Sequence, residues 1–177
     1  GLAPSAPPVP APPLPPRRDI SRLAPYTGAP SDRAGLLLNS DDLMPPDLAK
    51  IGVTPVSTAY FDGTALQSPW HTAPMISTFR KALACDIAPD VELLANVQSI
   101  TDWAKAQQLD QVIIPHTPVG PVRTALRAAF QTSGIPITEV RREIDSAAWP
   151  LATAGFFKFR KHIPDLLARF AGHRPSS

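Results

Sequence analysis

The sequence predicts an α/β domain: a three-layer αβα fold, Rossmann-like or flavodoxin-like, with a five-stranded parallel sheet and a proline-rich extended segment before it. Two observations carry this. From residue 34 onward, five short apolar or β-branched runs alternate with helical patterns, which is the texture of βαβ units. Before that point the chain is almost all proline and small residues: eight of its 23 prolines fall in the first 16 positions. Such a run lacks backbone donors, favours an extended left-handed helix and cannot build a core. The expected organisation is therefore a linker or tail at 1–33, an α/β domain at 34–171 and a disordered tail at 172–177.

The elements follow in order. "GLLLN" (Gly35–Asn39) reads as a first buried strand, and the polar loop "SDDLMPPDL" follows it. "TPVSTAYFDG" (Thr54–Gly63) is β-branched and aromatic and ends in a turn signal. "APMISTFRKALAC" (Ala73–Cys85) sets Met75, Ile76, Phe79 and Leu83 at helical spacing, and Cys85 reads as an inert packing residue. "DVELLAN" (Asp90–Asn96) is strand-like. The helix after it is expected to take Ser99 as its N-cap, with Asp102 three residues on. Ile100, Trp103 and Ala104 would share its buried face. "QVIIP" (Gln111–Pro115) is a buried strand. The next helix carries Val122, Leu126, Ala129 and Phe130 on one stripe, with Pro121 in its first turn and Gly134 just past its end. "IPITEV" (Ile135–Val140) is the fifth strand. In the final segment Phe156, Phe159, Ile163, Leu166, Leu167 and Phe170 form a helical stripe, expected to close the core, with Pro164 breaking the helix. Lys158, Arg160, Lys161 and Arg169 fall mostly off that stripe. A nucleic-acid stacking platform would require aromatics and cations exposed together.

Composition narrows the function classes. The net charge of +2 gives no global case for a nucleic-acid or anionic-membrane partner. No apolar run approaches the ~20 residues that span a bilayer, and no signal peptide is read. One cysteine excludes internal disulfides and thiolate zinc sites, and it fits a cytoplasmic location. His71, His116, His162 and His173 form no HxH or HxxxH pair, so a metal site is not expected. Neither GxSxG nor GxGxxG occurs.

A doubly wound sheet binds ligands at the carboxyl ends of its strands. The expected strand-end loops are Asn39–Asp42, Phe61–Gly63, Ala95–Gln98 and Pro115–Pro121. "PHTPVGP" (Pro115–Pro121) leads into a helix N-terminus, where His116, Thr117 and Gly120 could line an anion site. It lacks the Gly-Lys-Ser/Thr ending of a P-loop and carries two extra prolines that remove donors, so a structural turn is the favoured reading. "NSDDLMPPD" (Asn39–Asp47) carries three carboxylates that could bind Mg²⁺ or act as acid and base, or cap the chain that follows. The candidate binding residues are Asn39, Ser40, Asp41, His116, Thr117 and Gly120, chosen on fold geometry.

Taken in order, these elements resemble the α/β domain of the DNA photolyase/cryptochrome superfamily. The stretches that carry the resemblance are "GLLLNSDDLMPPDL", "MISTFRKALA" and "WAKAQQLDQVIIPHTPVGPVRTALRAAFQTSGIPITEVRREI". "APYTGAP" (Ala24–Pro30) and "AWPLATAGFFKFRKHIP" (Ala148–Pro164) are similar to the C-terminal portion of bacterial FAD-binding photolyase-like proteins. Leu151 and Ala154 stand where that pattern has a His and an Arg. The resemblance, over roughly residues 20–170, implies an accessory α/β domain, a scaffold or a holder of a folate or deazaflavin antenna chromophore. FAD would belong to a helical FAD-binding domain of the parent protein, the expected partner, and DNA would be met only through that parent. The chain, beginning at Gly1, is read as a fragment without turnover of its own. Two other readings stand beside this one: a free-standing nucleotide- or phosphate-binding domain, and an interaction module that recruits a partner through the proline-rich arm.

Overall fold

The structure, a computed structural model, describes residues 31–171. The proline-rich run at 1–30 and the tail at 172–177, with the linker, partner-recruiting and tail roles expected there, lie outside the described residues. Strands β1 (Ala34–Asn39), β2 (Ser57–Phe61), β3 (Glu92–Leu94), β4 (Gln111–Pro115) and β5 (Ile137–Val140) form one all-parallel sheet. Its order is β3-β2-β1-β4-β5. That is the Rossmann arrangement, where the flavodoxin order would place β2 outside β1.

The two central strands are the most apolar, as burial on both faces requires. Every residue of β1 and β4 is buried. On one face, α3 (Val97–Ala106) and α4 (Pro121–Ser133) cover Leu37, Ala59, Val112 and Ile114 with Ile100, Trp103, Val122, Leu126 and Phe130. The stripe expected on α4 is the buried one, apart from half-buried Ala129. Gly134 closes α4 in a left-handed conformation (φ 74°) that a side chain would oppose. Gly35 serves a different end. A Cβ there would collide with Leu109 and fall 2.8 Å from the Trp103 ring, so the indole and Leu109 occupy the space that a side chain would need.

The capping of α3 departs from expectation. Asn96, extended at φ −157°, is the N-cap, and Ser99 occupies the third helical position. The Asn96 side chain accepts from the Ser99 backbone N–H at 3.0 Å, and Ser99 Oγ accepts from the Asn96 backbone N–H at 3.2 Å. Asn forms this reciprocal box three residues earlier than Ser99 could, so the helix starts there.

A one-turn helix α1 (Thr64–Gln67) follows β2, and the opposite face is covered by α2 (Pro74–Ile87) and by the β1–β2 connection, which holds only a 3₁₀ turn at Ala49–Ile51. Here the helical spacing is correct but its apolar face is not buried. Ala84 alone is buried in α2, Leu83 is half-buried, and Met75 and Phe79 are 77% and 62% exposed. Cys85, expected to be a packing residue, is an exposed free thiol.

The final segment also differs. It runs as α5 (Glu143–Ala148), a 3₁₀ turn (Trp149–Leu151), α6 (Phe156–Phe159), a second 3₁₀ turn (Arg160–His162) and α7 (Ile163–Phe170). Pro164 sits in the first turn of α7, so the break falls just before it. No residue of α6 or α7 is buried. Phe159, Ile163, Leu166 and Phe170 are half-buried, whereas Phe156, Phe157 and Leu167 are exposed. Its α7 packs against α5, and the segment does not close the core.

Candidate functional site at the strand ends

In this sheet the winding reverses between β1 and β4, and doubly wound sheets take their ligands at that point. Both flanking loops carry sequence-predicted residues. Asn39, the last residue of β1, is fully buried and donates from Nδ2 to Thr117 Oγ1 at 3.1 Å. Thr117, equally buried, donates to the Pro115 carbonyl at 3.1 Å. Asn39 Oδ1 accepts from the Asp41 backbone N–H at 2.9 Å. Ser40 Oγ accepts from the Gly63 N–H at 3.1 Å, and the Asp41 carboxylate accepts from Gln67. These residues converge, but their polar atoms are engaged with one another. They pin the β1 loop to the loops after β4 and β2.

Gly63 tightens the same junction. A Cβ on it would lie 2.5 Å from Val122 Cγ2, so the end of β2 presses against the first turn of α4. Gly120 is the extended residue before α4 (φ 170°), and its carbonyl accepts from both the N–H and the hydroxyl of Thr124. The Phe61–Gly63 loop therefore borders the crevice. The Ala95–Gln98 loop follows β3 at the sheet edge, away from the switch point.

A second layer surrounds His116 and was not read from the sequence. His116 Nδ1 lies 3.2 Å from Glu139 Oε2. Arg123 holds Glu139 with two hydrogen bonds, at 3.1 and 2.8 Å, and Arg127 adds a third at 3.0 Å. The His116 ring meets Trp149 edge-on at 5.8 Å between centroids. Arg141 lies over the same indole at 5.3 Å and bonds Ser146, while its Nη1 is buried without a hydrogen-bond partner among the described residues. Arg142 bridges Asp42 at 3.3 Å and Asp145 at 2.7 Å. Trp149, 45% exposed, is thus a partly open aromatic surface between a guanidinium and an imidazole. Such a surface can stack a planar ring. The missed signal was the spacing of Arg123 and Arg127, one helical turn apart, opposite a lone acid in β5.

Two carboxylates depart from ordinary behaviour. Burial pushes the Asp42 carboxyl up, against the opposing pull of the Met44 N–H and of Arg142. Burial also acts upward on Asp62, but hydrogen bonds from Ser77 and Thr64, with Arg80 beside it, outweigh it and hold Asp62 below its usual range. The depressed group sets a sign. Its stabilising effect is full above the unfolded-state value, about 3.9, and fades as pH falls through the lower folded-state value. Asp62→Asn should cost ~1–3 kcal/mol at neutral pH, and the cost should shrink in strong acid. Urea unfolding of both proteins across the acid range checks this, and a pH-independent difference would contradict it.

Among the described residues, no group of three His, Cys, Asp or Glu side chains could hold a metal ion. No described helix is long and apolar enough to cross a membrane. A groove of about 360 Å³ between α3 and α4, lined by Val97, Gln98, Ala125, Ala128, Ala129 and Thr132 among others, lies on the outer helical layer and touches the loop after β3, away from the switch point.

Fold and site together define a Rossmann-ordered α/β domain with a pinned strand-end crevice. No family model matches the chain, and no curated protein does.

Proposed function

We propose that this chain is the accessory α/β domain of a photolyase/cryptochrome-like flavoprotein, a cytoplasmic protein whose FAD sits in a separate helical domain. In this reading the domain docks on that helical domain through the outer face of α2. The observation that carries it is the exposure of Trp70, Met75, Ile76 and Phe79, large apolar side chains clustered within ten residues of sequence. Clustered exposed apolar residues of this size mark contact surfaces. The chain itself performs no turnover. The crevice beside Trp149 holds a planar antenna chromophore of the folate or deazaflavin class, with His116, Thr117 and Gly120 beneath it and Asn39, Ser40 and Asp41 fixing the loop.

The coding sequence upstream of Gly1 is expected to encode a helical FAD-binding domain in frame, and the longer protein to show a flavin absorption spectrum. A start codon directly before Gly1 would remove the reading. At the protein level, Phe79→Ser should weaken association with the FAD-loaded helical domain by about tenfold or more, as loss of an interface anchor does. It should leave the melting temperature of the α/β domain nearly unchanged, because the ring is exposed. Unaltered association would rule out α2 as the docking face.

A second reading, a free-standing nucleotide- or phosphate-binding domain, is favoured by one observation: α4 begins at the switch point. Titration of the chain with nucleotides tests it, and absence of binding at millimolar concentration rejects it.

A further inference from the structure

The final segment meets the condition that separates a stacking platform from a core helix. Phe156 and Phe157 are 62% and 79% exposed, with their rings edge-to-face at 5.8 Å. Lys158, Arg160 and Lys161 are exposed beside them. None of the three is ion-paired among the described residues. From Ala152 to Pro164 the chain contains no Asp or Glu. This local surface is thus cationic and aromatic at once, although the whole chain carries only +2.

We infer that α6 and the 3₁₀ turn after it form a binding surface for single-stranded nucleic acid. Bases stack on Phe156 and Phe157, and the phosphates lie along Lys158, Arg160 and Lys161. Stacking on aromatic rings tolerates any base, so the surface is sequence-indifferent. A polyanion suits three neighbouring cations that lack carboxylate partners. A lipid surface fits less well. Membrane-lying helices present a continuous apolar face over several turns. Here α6 is one turn long, and the apolar positions beyond it, Phe159, Ile163, Leu166 and Phe170, are half-buried against the protein. The inference does not depend on the docking face at α2 or on the strand-end crevice.

The full chain, titrated into fluorescein-labelled oligothymidylate and oligouridylate at low salt, should raise the anisotropy of both. A preference for one distinguishes DNA from RNA within the same chemistry. With three phosphate contacts, the logarithm of affinity should fall with that of salt at a slope of about −2. Phe156→Ala with Phe157→Ala should weaken binding roughly tenfold or more. Phe157→Leu, which keeps apolar area but loses the ring, should also weaken it. Replacing Lys158, Arg160 and Lys161 by Gln should flatten the salt dependence. Melting temperatures should hold throughout, since every altered side chain is exposed. Absence of binding to either oligonucleotide, unchanged affinity in the Phe variants, or capture by phosphatidylserine vesicles in place of the oligonucleotides would overturn the inference.

Discussion

Trp103→Ala is expected to destabilise the domain by about 3–5 kcal/mol, measured by urea unfolding. The indole is 2% exposed and lies in the cluster formed by Leu37, Ala59, Val112 and Leu126. It rests on the bare backbone of Gly35, a position that no side chain can fill without displacing the ring. The void left by Ala would therefore open directly onto the central strand. Trp103 Nε1 also donates to Ser57 Oγ at 3.0 Å, tying α3 to the start of β2. Trp103→Phe keeps most of the apolar volume and removes that bond, so it should cost less than the Ala change. A cost near zero for Trp103→Ala would mean that the indole does not pack as described.

Asn39→Ala is expected to cost about 2–4 kcal/mol, from the volume lost and from two broken hydrogen bonds. Asn39 is fully buried at the end of the central strand, and the Ala variant leaves the Asp41 N–H without its acceptor and the Thr117 oxygen without the amide that donates to it. Thr117→Val removes the other half of the contact. The two changes together should cost less than the sum of the single costs, with a coupling of about 0.5–3 kcal/mol. Strict additivity would show that the two loops are not joined through this pair. The cycle also separates roles. If the pair is a structural pin, both variants lose stability in parallel with any loss of ligand binding at the crevice.

The contrast between these positions and α2 shows what the sequence could convey. β1 and β4 were legible because strands buried on both faces must be continuously apolar, and "LLL" and "VII" satisfy that without reference to any partner. α4 was legible because Pro121 and Gly134 mark its ends and its stripe has the helical period. The period of α2 was equally clear, but a period reveals that a face is apolar, not what covers it. Only Ala84 is buried in this helix, and Met75 and Phe79, set at helical spacing, stay exposed. The same limit applies to the final segment, where four of the six stripe residues are half-buried while Phe156 and Leu167 are exposed. At the strand ends, Asn39 and Thr117 were reachable from strand-end geometry. Glu139, Arg141 and Trp149 were not, because their relation to His116 arises from adjacent strands and a returning segment far apart in sequence.

Residues Ser31 to Arg33 were expected to belong to the linker, yet they are tied to the folded domain. Ser31 bonds the Asp110 side chain, and the Arg33 guanidinium donates to the carbonyls of Gln107 and Gln108 just past the end of α3. A cation there complements the negative end of the helix dipole. These contacts lie where β1 and β4 begin, at the amino pole of the sheet, while Asn39, Thr117 and Trp149 lie at the carboxyl pole. The chain is moored at the amino pole, opposite the end where the half-exposed Trp149 lies. A tag or fusion partner joined ahead of residue 31 would be anchored opposite the crevice and should leave access to it unobstructed.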